Sequence, residues 1–247
     1  IEIVGEPEIR SSAQAGAYLR ALREILLFAG VSDCSMEEGS LRVDANVSAR
    51  PMGETTFRNR TEIKNLNSFS NVERALELEF ARHVATYEAG GTIHQQTMLF
   101  DALKGEVRAA RSKEGSHDYR YFPEPDLPPL LLDAEWLEAQ RAAVPELPAK
   151  RRAHMRSAFG IGEKEAAALT ADVEIAEYFD AVVSASGDGK AAANWVLGEV
   201  SGSLNATGGR IDQFPVSPKR LAGLITLVKS GDVSSTAAKT LFQIMQT

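Results

Sequence analysis

The 247-residue sequence contains a single cysteine, Cys34, and only four histidines. One thiol excludes an internal disulfide and a zinc site built from several cysteines. It fits a reducing compartment, and we expect the cytoplasm, or an organellar matrix if the source is eukaryotic. No run of about 20 apolar residues occurs, so we expect no membrane-spanning segment and no membrane partner.

A surplus of basic residues is also absent, because the formal net charge is -7 and the pI is about 5.3. This balance excludes a protein that binds nucleic acid through its overall charge, so any RNA contact must come from a local patch or a partner. The hydrophobic content of 44% and the charged content of 25% are ordinary for a globular protein. A chain of 247 residues can form two domains.

The first residues carry no initiator methionine, no basic n-region and no signal-type apolar stretch. Residues 1–4 resemble the inside of a strand, and residues 244–247 resemble an unfinished helix. We therefore expect a fragment that lacks its N-terminus and the end of its last domain.

Two regions differ in their predicted secondary structure, and together they predict an α+β fold. Residues 1–144 mix strand and helix patterns, and the sequence "PELP" at 145–148 begins a helical region that we extend to residue 214. Residues 215–247 are interpreted as the start of a small helical module. Beyond the boundary, helices are predicted over residues 149–159, 163–169, 173–184, 190–204, 218–229 and 234–245.

The most informative pattern lies in two segments of the first region. Residues 41–50 alternate apolar and polar side chains, and residues 60–66 return as a second strand after a turn. If the two strands pair, they carry on one face Arg42, Asp44, Asn46, Glu62 and Lys64. Because Asp and Asn are poor strand residues, an ordinary solvent face explains them badly. Carboxylates for Mg²⁺ and cations for phosphate oxygens suit phosphoryl transfer, although a structural salt-bridge ladder uses the same residues.

A third cluster, residues 111–122, combines basic, hydroxyl and aromatic side chains before a proline-rich stretch. It fits a loop that binds phosphate or adenosine, and a plain surface loop remains the alternative.

Other short motifs do not match known binding or catalytic sites. Residues 187–190 lack the upstream glycine of a P-loop, residues 160–162 are no dinucleotide fingerprint, and Cys34 has no histidine beside it. No serine-rich amidase motif occurs, so the chain itself should not release ammonia.

Long stretches of the sequence resemble one known family. These are "IEIVGEPEIRS" at 1–11, "MEEGSLRVDANVS" at 36–48, "TEIKNLNSF" at 61–69, "HDYRYFPEPDLPPL" at 117–130 and the "PELP" segment. They are similar to the B subunit of tRNA-dependent amidotransferases, and the resemblance covers essentially the whole chain.

The resemblance implies a cradle-shaped catalytic domain with an antiparallel sheet, related to the glutamine synthetase fold, then a helical domain and a tail module that contacts tRNA. It also implies a reaction. The B subunit uses ATP and Mg²⁺ to phosphorylate the side-chain carboxylate of Glu-tRNA(Gln) or Asp-tRNA(Asn). Ammonia from a glutaminase A subunit then displaces phosphate, and a small C subunit ties A and B together.

Residues and resemblance together assign candidate roles. Catalytic candidates are Asp44, Asn46, Glu62 and Lys64. Magnesium candidates are Glu38, Asp44 and Glu62. Candidates for binding ATP phosphates or the tRNA end are Arg42, Asn65, Asn67, Arg111, Lys113, His117 and Arg120. Candidates for holding the tRNA body are Lys219, Arg220, Lys229 and Lys239.

Two alternatives stay open. The first is a non-catalytic subunit that binds tRNA and assembles the complex. The second is a ligase that resembles glutamine synthetase and acts on a small molecule. A scaffold does not need Asp44 and Glu62 on one face, and a small-molecule ligase does not need the helical extension.

Overall fold

The computed structural model describes residues 1–110 and 126–246. The chain divides into two compact units, Ile1–Leu26 with Gly30–Val144 and Leu27–Ala29 with Pro145–Thr247. The predicted mixture of helices and strands is confirmed. None of the helices in the two described ranges combines the length and the apolar composition that a membrane crossing requires.

The first unit contains all the strands found in the described residues. Its elements in chain order are α1 (Ser12–Phe28), β1 (Val43–Val47), β2 (Thr61–Leu66), α2 (Phe69–Glu88), β3 (Gln96–Asp101), β4 (Glu106–Ala109) and α3 (Ala134–Ala143).

The four strands form one sheet in the order β1-β2-β3-β4. Strands β1 and β2 are antiparallel, as are β3 and β4, but β2 and β3 run parallel. The expectation of an antiparallel sheet is therefore wrong for the central pair. The reason is helix α2, which connects β2 to β3 as a crossover and lets the chain enter β3 in the direction of β2.

One face of this sheet is packed and the other is open. The packed face contributes Ile63 from β2 with Met98 and Phe100 from β3, and these contact Val72 and Ala75 of α2. Burying each large apolar side chain contributes roughly 1.5–3 kcal/mol, so this layer holds α2 on the sheet. Because strand side chains alternate, the residues between these positions project from the opposite face.

A bulge interrupts the pairing of β1 with β2. Val43 pairs with Leu66 and Ala45 with Ile63, so one residue of β1 lies opposite two residues of β2. Asn65, one of those two, has φ 67°, in the left-handed region. Its side-chain amide donates a hydrogen bond of 2.8 Å to the Phe100 carbonyl in β3. The amide thus fixes the bulge against the neighbouring strand.

The second unit is helical in its described residues. Its helices are α4 (Pro148–Phe159), α5 (Glu163–Leu169), α6 (Val173–Ser186), α7 (Gly189–Trp195), α8 (Ser201–Thr207), α9 (Pro218–Ser230) and α10 (Ser235–Ile244). A π-helical turn at Val196–Val200 joins α7 to α8, and a 3₁₀ turn spans Ile211–Gln213. All six predicted helical segments are confirmed, although the predicted helix at 190–204 contains the π turn.

The core of this unit draws on both sides of residue 214. Phe179 and Val196 precede that position, Leu221 and Phe242 follow it, and all four are fully or almost fully buried in one cluster. The Tyr178 hydroxyl also donates 2.7 Å to the Val216 carbonyl. The separate module at 215–247 stays a prediction, and its helices share a core with the preceding ones.

Two substitutions at Asn65 test the bulge. Asn65→Ala loses the hydrogen bond to Phe100. It also places alanine, which has a Cβ and no polar side chain, in the left-handed region. We expect it to lower the free energy of unfolding by about 2 kcal/mol, roughly half from each effect. Asn65→Gly loses the hydrogen bond but tolerates the positive φ, so we expect a smaller loss. Urea unfolding measures both, and equal losses would contradict a role for the φ angle.

Candidate active site

The open face of the sheet carries polar side chains from three strands. Asp44 and Asn46 come from β1, Glu62 and Lys64 from β2, and Thr97 from β3. Asn46 lies beside Glu62 in the antiparallel pair, and Glu62 lies beside Thr97 in the parallel pair. The alternation on each strand directs these residues away from the core.

Lys64 is the centre of this face. Its ammonium nitrogen lies 2.6 Å from Asp44 Oδ2 and 3.3 Å from Glu62 Oε1. One cation can contact both carboxylates only if they project from the same face, so that prediction is confirmed. The hydrogen bond to Asp44, supported by the one to Glu62, outweighs burial and raises the pKa of Lys64. Lys64 is therefore charged at neutral pH.

The Lys64 group is accessible to a ligand. The side chains of Lys64 and Asp44 are 41% and 50% exposed. Ion pairs this exposed stabilise a fold by about 0–1 kcal/mol, so stability alone gives little reason for the arrangement. The ammonium of Lys64 is accessible, and phosphate oxygens accept hydrogen bonds from the same donor as these carboxylates do.

Thr97 extends this face to β3. Its hydroxyl donates to Glu62 Oε2 at 3.3 Å. The sequence patterns do not identify Thr97, because its position beside Glu62 follows from the parallel pairing of β2 with β3. Thr97 follows Gln95 and Gln96, so no local pattern distinguishes it.

Other predicted residues are exposed or serve the local fold. Glu38 and Arg42 are exposed. Asn65 bonds the Phe100 carbonyl, and the Asn71 side-chain amide donates to Asn67 Oδ1. Their predicted roles toward substrate stay predictions. The candidates of the 111–122 cluster lie outside the described residues, namely Arg111, Lys113, His117 and Arg120.

The carboxylates of the open face can be compared with the ligands that Mg²⁺ requires. Residues 1–110 and 126–246 contain no group of three or more His, Cys, Asp or Glu side chains arranged to hold a metal ion. Mg²⁺ needs only one or two protein carboxylates, since water and phosphate oxygens complete its shell. Asp44 and Glu62 share the one cation Lys64 on one face, and this donor set fits that requirement. The metal roles of Glu38, Asp44 and Glu62 stay predictions.

A buried polar network lies behind β2, on the packed face. Glu79 of α2 is fully buried and accepts hydrogen bonds from Arg82 (2.6 and 2.9 Å) and Thr61 (2.7 Å). Burial would raise the pKa of Glu79, but the hydrogen bonds from Arg82, His83 and Thr61 together outweigh it and lower the pKa to about 2. Glu79 is therefore a buried, fully paired anion.

The same network includes His83. Its Nε2 lies 2.9 Å from the Thr61 hydroxyl oxygen and 3.3 Å from Oε1 of Glu79. Its Nδ1 is buried without a hydrogen-bond partner in the described part of the chain. The sequence patterns identify neither Glu79 nor His83, because both lie on the otherwise apolar face of α2.

The four lysine and arginine candidates for the tRNA body differ in their contacts. Lys229 pairs with Asp188 at 3.1 Å, and Lys239 pairs with Glu199 at 2.7 Å. Arg220 donates to the Pro215 carbonyl at 3.4 Å, and Lys219 is exposed. Two of the four thus already have acidic partners, and the role of the set stays a prediction.

The chain matches known families over most of its length. Residues 1–138 match the model of the GatB/GatE catalytic domain, and residues 177–247 match the model of the GatB domain. The aspartyl/glutamyl-tRNA(Asn/Gln) amidotransferase B subunit of Chlorobaculum tepidum is 51% identical over 246 residues, which cover 100% of this chain and 52% of that protein. The protein of the same name from Geobacter sulfurreducens is 49% identical over 245 residues, 99% of this chain and 51% of its own. The chain spans about half the length of the curated relatives it matches.

The low pKa of Glu79 predicts acid sensitivity. Its folded pKa of about 2 lies below the ordinary value of 4.5, so the carboxylate stabilises the fold above about pH 4.5. That contribution, on the order of 3 kcal/mol, is lost as the pH falls towards 2. We expect Glu79→Gln to flatten the loss of unfolding free energy between about pH 5 and pH 3. Glu88→Gln, which removes an exposed carboxylate of the same helix, is the control. Equal pH profiles for both variants would contradict the assignment.

Proposed function

The chain belongs to the GatB/GatE catalytic-domain family, and from that premise we propose that it activates and amidates an amino acid attached to tRNA. The substrates proposed are Glu-tRNA(Gln) and Asp-tRNA(Asn), and the products are Gln-tRNA(Gln) and Asn-tRNA(Asn). The names of the relatives, which combine aspartyl and glutamyl tRNA with amidotransferase, support the substrate class. The observation that carries the proposal is the Lys64 ammonium held between two carboxylates on an open sheet face.

The proposed reaction has two steps. A carboxylate is a poor electrophile, so its side-chain oxygen first attacks the γ-phosphorus of ATP, which forms an acyl phosphate and releases ADP. Ammonia then attacks the carbonyl carbon, phosphate leaves, and a proton is lost to give the amide. Both steps need positioning and charge neutralisation and need no protein nucleophile.

The residues of the open face have separate roles in this scheme. Lys64 binds phosphate oxygens, and its raised pKa keeps it cationic while it does so. Asp44 and Glu62 hold Lys64 in place and are the two carboxylates that would hold Mg²⁺. When bound, Mg²⁺ neutralises the charge of the transferred phosphoryl group. Asn46, exposed beside Glu62, orients the substrate carboxylate through its amide.

The proposal includes partners. Ammonia comes from a glutaminase A subunit, which agrees with the lack of a serine-rich amidase motif in this sequence. A small C subunit completes the complex, and the word "subunit" in the names of the relatives supports a multi-subunit assembly. The finer proposal of a cradle related to glutamine synthetase rests on the sequence resemblance. A sheet with one packed face and one open polar face is compatible with it.

Two substitutions test the function in the full-length protein assembled with its partners. We expect Asp44→Asn and Lys64→Met each to lower amide formation on Glu-tRNA(Gln) by about 100-fold, the usual effect of removing one charge-stabilising group. Binding of the tRNA and the glutaminase activity of the complex should stay within about threefold of the parent, because neither needs the open face.

The matched control is Lys104→Met, an exposed lysine of the β3–β4 hairpin that pairs loosely with Glu106 at 3.8 Å. It should leave all three measurements unchanged. Full amide formation by the Asp44 and Lys64 variants would contradict the proposal and favour a non-catalytic, tRNA-binding protein.

A further inference from the structure

Thr97 is the one neighbour of Glu62 on β3 that contacts its carboxylate in the described structure. The two residues lie side by side in the parallel pair of β2 and β3, and the Thr97 hydroxyl donates to Oε2 of Glu62 at 3.3 Å. No role follows for Thr97 from the sequence patterns or from the family resemblance. Its position depends on the parallel pairing, which places β3 beside the polar edge of β2.

Both oxygens of the Glu62 carboxylate therefore have separate partners. Oε1 lies 3.3 Å from the Lys64 ammonium, and Oε2 accepts from Thr97. Lys64 shares a strand with Glu62, whereas Thr97 lies on the next strand, so the two contacts hold the carboxylate from different directions. Each oxygen keeps a second lone pair for another ligand. A glutamate side chain has three rotatable bonds, and two such contacts restrict them.

The backbone of Glu62 is fixed from the opposite face. Thr61, the preceding residue, is fully buried, and its hydroxyl donates to the buried carboxylate of Glu79 at 2.7 Å. Helix α2 thus anchors the start of β2 beneath the site. With the backbone held from below, the remaining freedom of Glu62 is in its side chain, which Thr97 restricts.

We propose that Thr97 is a positioning residue that holds the Glu62 carboxylate in the orientation needed to bind Mg²⁺. The proposal rests on the proposed function of the same site. Partners that orient a metal-binding carboxylate commonly change metal affinity or activity by about 10- to 100-fold when they are removed. The strand itself does not need the hydroxyl, since valine has nearly the same shape and is also enriched in strands.

Two substitutions in the full-length, assembled complex separate the hydroxyl from the shape of the side chain. Thr97→Val removes the hydroxyl and keeps the branched shape, and Thr97→Ser keeps the hydroxyl. Mn²⁺ alone, without tRNA, is the probe, and its binding is followed by electron paramagnetic resonance. We expect Thr97→Val to raise the dissociation constant of Mn²⁺ by about 10-fold and Thr97→Ser to restore it to within about threefold.

Two further readouts exclude a general structural effect. The melting temperature should change little in Thr97→Val, because the hydrogen bond lies on a partly exposed face. In amide formation, the Mg²⁺ concentration for half-maximal rate should rise while the KM for the aminoacyl-tRNA stays unchanged. Parental Mn²⁺ binding by Thr97→Val, or equal losses in Thr97→Val and Thr97→Ser, would overturn the role of the hydroxyl.

Glu62→Gln distinguishes failure of this inference from failure of the proposed function. If Glu62→Gln abolishes amide formation and Thr97→Val binds Mn²⁺ like the parent, only the role of Thr97 is wrong. If Glu62→Gln forms amide at the parental rate, the site itself is wrongly assigned and the role of Thr97 falls with it. Loss of Mn²⁺ binding in both variants, with rescue by Thr97→Ser, supports the inference.

Discussion

The contact of one ammonium with two carboxylates, Lys64 with Asp44 and Glu62, is the interaction on which the rest of the site depends. It requires β1 and β2 to pair in one register, because a slip of one residue would move Lys64 to the packed face. The bulge at Asn65 lies next to Lys64, and the hydrogen bond from the Asn65 amide to the Phe100 carbonyl holds this end of β2 on β3. The exposed cation itself stabilises little, so other contacts must hold the strands in place.

Those contacts lie behind the sheet. Successive side chains of β2 take part in two separate hydrogen-bond networks on the two faces of the sheet. On the packed face the buried Thr61 hydroxyl donates to Glu79, and on the open face Glu62 accepts from Thr97. A buried charge is costly unless it is fully paired, and Glu79 accepts bonds from Thr61, Arg82 and His83. Breaking that network would leave an anion unpaired, which penalises any displacement of β2 on α2. A buried ionic network thus supports the geometry of the open polar face.

Much of this arrangement could be predicted from the sequence. Alternation in residues 41–50 and 60–66 placed Asp44 and Glu62 on one face, since the side-chain period of a strand is two. Helical periodicity likewise identified the segments of the second unit. The parallel pairing of β2 with β3 could not be read from the pattern, because alternation gives no strand direction. The contact of Thr97 with Glu62 was missed for the same reason.

Other features escaped because a polar residue can occupy an apolar face when the fold supplies partners. Glu79 and His83 occupy core positions of α2 that apolar periodicity alone would assign to aliphatic residues. The positive φ of Asn65 depends on the register with β1, which the local sequence does not contain. A polar residue in the apolar face of a helix is thus a signal for a buried network.

A double-mutant cycle between Asp44 and Lys64 tests the central interaction most directly. Rates of amide formation would be measured for the full-length assembled complex with Asp44→Asn, Lys64→Met and both changes together. If the two residues act as one unit, the double variant should be about as slow as the slower single variant, as with groups that depend on each other. Losses that multiply, so that the two effects are independent, would contradict a shared site built on Lys64.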